Sequence, residues 1–298
     1  MPHTPLNPGT SDYVADAETI TEMIRLLEQD VLVTRAVSGL LPPGVEPPQV
    51  HDVLDIGCGP GGWVLEMAKT SPTMQVTGID ISSLVIDFAT QRALVEACAN
   101  ARFAVMDFQQ LAFPDASFDL VNARLVQWFL PNDRRKQIVQ EWYRVLRPGG
   151  VLRCLETELT PITNSEALER HGHLFLAALD RMRKMVSPGG YHAGIPLILR
   201  PLLTQLGCQD IRETAHLINF SAGMPDRDGV VQDIIRGMET MGQVMVRAKV
   251  VRKQELTRLQ EQTLADIKAP GFWGMLFFVS CWGRKPQASV GEPQPEPG

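Results

Sequence analysis

Chemistry in this 298-residue chain starts where an apolar run meets an acid and then glycines: Val53-Leu54-Asp55-Ile56-Gly57-Cys58-Gly59-Pro60-Gly61-Gly62-Trp63. Glycines let a backbone turn tightly and approach a ligand that a Cβ would exclude. Asp55, inside the strand just before the turn, can meet a cation on the same ligand. That combination suits a nucleoside carrying a charged amino acid better than one carrying phosphates. The spacing itself is ambiguous. Gly57, Gly59 and Gly62 also satisfy the dinucleotide pattern G-x-G-x-x-G, and a plain strand-to-helix turn uses glycines too.

The next units narrow the choice. Gln75-Val76-Thr77-Gly78-Ile79-Asp80 reads as a second buried strand that ends in an acid, with Ile81 beside it. Asp80 lies about 20 residues past the turn, the spacing at which an acid takes ribose hydroxyls. Ser82 is placed to cap the helix that follows. A third short strand, residues 102–106, ends at Asp107-Phe108, where a carboxylate can accept from an adenine amino group and a ring can lie beside the base. A fourth strand, Phe118-Asp119-Leu120-Val121-Asn122-Ala123, follows the turn Pro114-Asp115-Ala116-Ser117.

Taken together, these stretches resemble the class I S-adenosylmethionine-dependent methyltransferases. The glycine turn, Gly78-Ile79-Asp80, Asp107-Phe108 with Leu111-Ala112-Phe113-Pro114, and Arg144-Val145-Leu146-Arg147-Pro148-Gly149-Gly150 carry the likeness over residues 50–158. Phe277-Phe278-Val279-Ser280-Cys281-Trp282-Gly283 resembles the family's final antiparallel strand. The resemblance implies an α/β, Rossmann-like fold: a mostly parallel seven-stranded sheet with helices on both faces and one antiparallel strand. It implies S-adenosyl-L-methionine as cofactor and methyl transfer as the reaction, and leaves the acceptor open. On this reading Asp55, Gly57, Cys58 and Gly59 meet the methionine and ribose portion, although Cys58 reads first as a small buried filler. Asp80 and Ile81 flank the ribose, Asp107 and Phe108 the adenine, and Asn122 and Ala123 the sulfonium. An N-terminal helix closes the site, with Tyr13 as a lid residue or a plain surface aromatic.

Composition sets bounds around this reading. The net charge is −6 and the pI near 5.6, which disfavours a general nucleic-acid surface. No apolar run reaches the roughly 18 residues of a membrane span. Five cysteines, an odd number without a C-x-x-C pair, read as reduced core residues of a cytoplasmic protein. No His/Cys/Asp/Glu cluster has metal-ligand spacing, so no metal is expected. Residues 1–49 read as a helical lid and linker, 50–160 as the cofactor-binding core, 161–285 as the rest of the sheet with helical cap inserts, and 286–298 as a disordered tail rich in Pro, Gln and Glu. The cap helices are expected at residues 165–186, 195–206, 227–245 and 253–269, over the carboxyl ends of the strands.

Methyl transfer requires a base only when the acceptor must lose a proton. Glu156, His171 and His192 are the candidates. Of Glu156 and Glu158, one is expected to face the pocket and the other water; His171 and His173 do not share a helix face. Arg124, Gln127, Trp128, Tyr191 and Trp273 are the candidate acceptor contacts. Phe129 is expected only to pack. The Met- and aromatic-containing cap suits a small, partly apolar acceptor, with carbon or oxygen methylation favoured and specialised metabolism as the setting. Homodimerisation through the same apolar surface is the competing account of the cap. A nicotinamide-dependent oxidoreductase and a methyltransferase-like interaction subunit without turnover are the alternative functions.

Overall fold

The computed structural model describes residues 20–37, 39–225 and 227–287. Tyr13 and most of the 286–298 tail lie outside the described residues. Strand β1 (Asp52–Ile56) is central, between β2 (Gln75–Asp80) and β4 (Phe118–Arg124). Both pairings are parallel, and four of the five β1 residues are buried. A strand covered on both faces reads as a near-continuous apolar run, as Val53-Leu54-Asp55-Ile56 nearly does. β3 (Ala101–Val105) forms the edge beyond β2, and β5 (Leu146–Thr157) lies beyond β4. β8 (Gly274–Arg284) runs antiparallel between β5 and β7 (Gln209–Asn219). A two-residue strand, β6 (Ile162–Thr163), extends the β5 side of β8 and makes eight strands where seven were expected.

The alternation along the strands divides the core. Val53, Val76, Leu120 and Val151 pack against Trp63, Val64 and Met67 of α2 (Gly62–Thr70) and Ile86 of α3 (Ser83–Val95). Leu54, Val121 and Leu152 face the other way, toward Ile138 and Trp142 of α4 (Arg135–Arg144) and Leu199 and Leu203 of α6 (Ile195–Gln205). Ser82 caps α3, its hydroxyl accepting from the Val85 N–H at 3.3 Å.

A helical layer covers one end of the sheet. α1 (Ile20–Ala36) packs along α7 (Arg227–Arg247), and α5 (Glu166–Arg181) packs on both α7 and α8 (Lys253–Lys268). α5 stops five residues before the pattern predicts. Arg183 adopts φ 57°, its N–H bonds Asp180 O at 2.9 Å, and the Lys184 N–H bonds Leu179 O at 2.9 Å. That pair of bonds is a Schellman stop, made here without glycine. Among the described residues no helix is long and apolar enough to cross a membrane.

Candidate functional site

Four strand ends converge at the carboxyl edge of the parallel strands, where open α/β sheets bind ligands. After β1 the chain turns through Gly57, Gly59 and Gly61, at φ 65°, 52° and 78°. A Cβ on Gly57 would stand 2.5 Å from Val126 Cγ1, whereas one on Gly59 would meet no protein atom within 4 Å. The Gly59 side of the turn is therefore open to a ligand. Gly78 in β2 leaves room for Cys58, whose Sγ would lie 2.8 Å from an added Cβ. Asp80 ties the first two strand ends together: its carboxylate accepts from the Gly59 N–H and the Ser82 N–H, both at 3.1 Å. Burial raises its pKa, and the backbone N–H groups oppose that rise.

Asp55 is buried, and Asn122 Nδ2 donates to its Oδ1 at 2.8 Å. Burial pushes its pKa up to about 7 against the pull of the Arg124 guanidinium. Asn122 Oδ1 is buried without a hydrogen-bond partner. After β3, Asp107 Oδ1 accepts from the Gln109 N–H at 2.9 Å. Phe108 stands edge-on to Trp142, ring centroids 6.1 Å apart, and Trp142 Nε1 donates to its carbonyl at 2.9 Å. Ile81 is exposed at the start of the β2–α3 turn. Ala123 corrects the sequence reading: its methyl is fully buried in the core and does not face the cleft.

A second cavity, about 130 Å³ in volume, lies over the ends of β5 and β7 and the start of β8. Three helices give it walls through helical stripes: Arg25, Gln29, Leu32 and Val33 of α1; Leu168, His171, Gly172 and Phe175 of α5; Val230, Ile234, Met238 and Met241 of α7. Leu125 joins its floor. This leucine leaves β4 at φ 59° with its N–H on Leu155 O at 2.8 Å.

The cavity's polar groups are mostly matched. Arg25 pairs with Glu22 at 2.6 Å and Asp233 at 2.9 Å, and Gln29 Nε2 donates to Asp233. Glu158 accepts from the Ala193 N–H at 2.6 Å and the Gly194 N–H at 3.1 Å. His171 is 3% exposed, its Nε2 has no partner, and burial pushes its pKa down to about 4. His173 points to water on the opposite side of α5.

Several candidates sit away from this cavity. Glu156 is fully buried, accepting from the Gln127 N–H at 2.9 Å with Oε1, so it does not open on the cavity. Residues two apart on a strand share a side, but β5 ends at Thr157, and Glu158, past that end, is the one that lines the cavity. Gln127 is also fully buried, its carbonyl and amide oxygen taken by Arg135. Arg124 turns to α1 and bonds Asp30 and Thr34. Trp128 packs half-buried against the α5–α7 cluster. Tyr191 is 85% exposed and Trp273 41%. His192 is exposed as well, and none of these three lines the cavity. The sequence reading missed Arg25, Gln29 and Asp233. The available signal was a charge inside an apolar helical run, as in Val230-Val231-Gln232-Asp233-Ile234-Ile235. Among the described residues no group of three or more His, Cys, Asp or Glu could hold a metal ion.

Residues 53–150 match a family model described as a methyltransferase domain. A sterol 24-C-methyltransferase of Gibberella zeae is 38% identical over 125 residues, 42% of this chain and 32% of that protein. A demethylmenaquinone methyltransferase of Listeria monocytogenes is 34% identical over 107 residues, 36% of this chain and 44% of that protein. The chain thus spans less than half the length of these curated relatives. The structure of Haemonchus contortus phosphoethanolamine N-methyltransferase 2, solved with phosphomonomethylethanolamine and S-adenosylhomocysteine, shares the fold at a TM-score of 0.53 and 18% identity, covering 91% of this chain and 58% of that one. The matched span, from β1 into β5, contains every turn of the cleft at the β1–β4 ends, and over that span the chain matches a methyltransferase domain.

Proposed function

We propose that this chain transfers a methyl group from S-adenosylmethionine to a small, largely apolar acceptor. The observation that carries this reading is the apolar cavity at the same sheet edge as the glycine turn. The cleft residues fit the cofactor. The open face of Gly59 is a cradle that a Cβ would fill. The unpartnered Asn122 Oδ1 beside the Asp55 carboxylate can accept from an ammonium group. Asp80 would hold the ribose hydroxyls and Asp107 the adenine amino group.

When bound, the cofactor supplies an electrophilic methyl on a sulfonium. The chain's own contribution is placement, because in-line displacement needs donor and acceptor about 3 to 3.5 Å apart and aligned. The apolar stripes of α1, α5 and α7 keep water from the acceptor. Of the three candidate bases, only His171 lines the cavity. Its depressed pKa keeps the imidazole neutral near pH 7, suited to hydrogen bonding and to weak base action. The sterol and demethylmenaquinone named for two relatives support an apolar acceptor, and the 24-C of the first supports carbon methylation. Five buried, unpaired cysteines support a reducing, cytoplasmic setting.

Calorimetry with S-adenosylhomocysteine and with NAD, followed by labelled methyl transfer to a panel of sterols, quinols and phenols, tests the reading. Binding of S-adenosylhomocysteine alone with transfer to an apolar acceptor is expected. Cofactor binding without transfer to any member would instead favour the interaction-subunit function.

A further inference from the structure

We propose that His171 sets acceptor choice: the cavity takes an uncharged, apolar molecule whose hydroxyl, alcoholic or phenolic, hydrogen-bonds His171 Nε2. The inference deepens the methyltransferase reading and rests on it for the word acceptor. Its starting point is the one orphaned buried side-chain atom that a described residue of the cavity lining carries. Asp233 is already matched by Arg25 and Gln29, and Glu158 by two backbone N–H groups. Thr157 Oγ1 donates to Phe277 O at 2.7 Å. His171 lines the same wall, and its Nε2 is buried with no partner. A buried polar atom costs most when left unmatched, so an occupant that satisfies it is selected over one that does not.

The kind of group follows from the imidazole. Burial keeps His171 neutral, so Nε2 either donates or accepts, depending on the tautomer. A hydroxyl answers both cases. A carboxylate or phosphate would enter beside Asp233 and Glu158, and Arg25 is already engaged by two carboxylates. An ammonium would find Asp233 already neutralised by Arg25. Charged acceptors are therefore rejected by groups that are matched among themselves.

The test uses the full chain saturated with S-adenosylhomocysteine and three probes of one shape: 4-propylphenol, propylbenzene and 4-propylbenzoate. Calorimetry should give the phenol about tenfold higher affinity than propylbenzene, with no benzoate binding. His171→Phe should remove the phenol's advantage and leave propylbenzene unchanged. His171→Gln, which keeps a polar end, should restore part of it. S-adenosylhomocysteine affinity should stay at the wild-type value in both variants, which also shows that they fold. Equal affinity of phenol and propylbenzene in the wild type, binding of neither, or a phenol preference that survives in His171→Phe would overturn the assignment. Failure of the wild type to bind S-adenosylhomocysteine would sink the methyltransferase reading instead, so the two failures are distinguishable.

Discussion

Arg124 at the end of β4 is ion-paired to Asp30 of α1, and this pair joins the sheet edge to the helix that walls the cavity. The same guanidinium donates to Thr34 Oγ1 at 3.0 Å and lies 5.5 Å from the Trp63 ring centroid. On another side of the helix, Arg25 and Gln29 hold Asp233 of α7. Each anchor uses residues four apart, which lie one above the other on a helix. α1 is therefore tied to the end of β4 on one side and to the cavity wall on the other.

Removing the pair should loosen α1 without unfolding the sheet. Both side chains are largely buried, 11% and 14% exposed, and hydrogen bonds to charged groups contribute about 1.5 to 3 kcal/mol. Asp30→Ala should lower the protection of α1 amides by about that free energy. Hydrogen exchange by mass spectrometry on peptides from α1 and from β1 is the check. Equal protection changes in both would mean global destabilisation, not loss of an anchor.

Asp80→Ala should weaken S-adenosylhomocysteine binding by about ten- to a hundredfold, the equivalent of one or two charge-assisted hydrogen bonds. The carboxylate also holds the Gly59 and Ser82 N–H groups, so Asp80→Asn should lose less. Calorimetry on the folded variants would decide. Unchanged affinity in Asp80→Ala would remove Asp80 from the site.

The turns and strand ends that frame the cleft were legible in the sequence because their signals are local. A glycine needs a left-handed φ where it stands, and an acid at a strand end sits at the carboxyl edge whatever the loops do. The acceptor side is assembled by packing. Arg25 and Asp233 are 208 residues apart, and neither carries a motif. Glu156 and His192 were chosen by residue type, and burial and loop geometry then decided against them. His171 shares a stripe with Leu168 and Phe175 at helical spacing, but nothing local reveals that its Nε2 lacks a partner. Ala123 was assigned by its place in the chain, and strand alternation turned its methyl into the core.

Gly57→Ala should be poorly tolerated for two separable reasons. The left-handed φ of 65° disfavours a Cβ by about 1 to 2 kcal/mol, and overpacking against Val126 adds about 1 to 3 kcal/mol. Val126→Ala in the same chain should recover only the second part. Chemical denaturation of the single and double variants measures both. Full recovery in the double variant would show that the backbone conformation is not a constraint.

Glu156 gives the fold a dependence on pH whose sign is fixed by burial. Burial raises its pKa from 4.5 to about 8, opposed by the Gln127 N–H and the Arg135 guanidinium. Its Oε2 has no partner. Between those two values the folded chain holds a proton that the unfolded chain has released. Stability from this group is therefore present below about pH 4.5, falls as pH rises, and levels off above about 8, with a slope of at most about 1.4 kcal/mol per pH unit. Glu156→Gln cannot ionise and should lack that slope. Asp55, raised to about 7, imposes the same trend on both proteins and cancels in the comparison. Melting curves of wild type and variant from pH 5 to 9 should thus show the difference moving in favour of the variant up to about pH 8 and flattening above it. S-adenosylhomocysteine affinity should be unaffected, because Glu156 opens on neither the cleft nor the cavity. Parallel pH profiles for the two proteins would mean that Glu156 is ionised in the folded state at pH 5 and that its partners outweigh its burial.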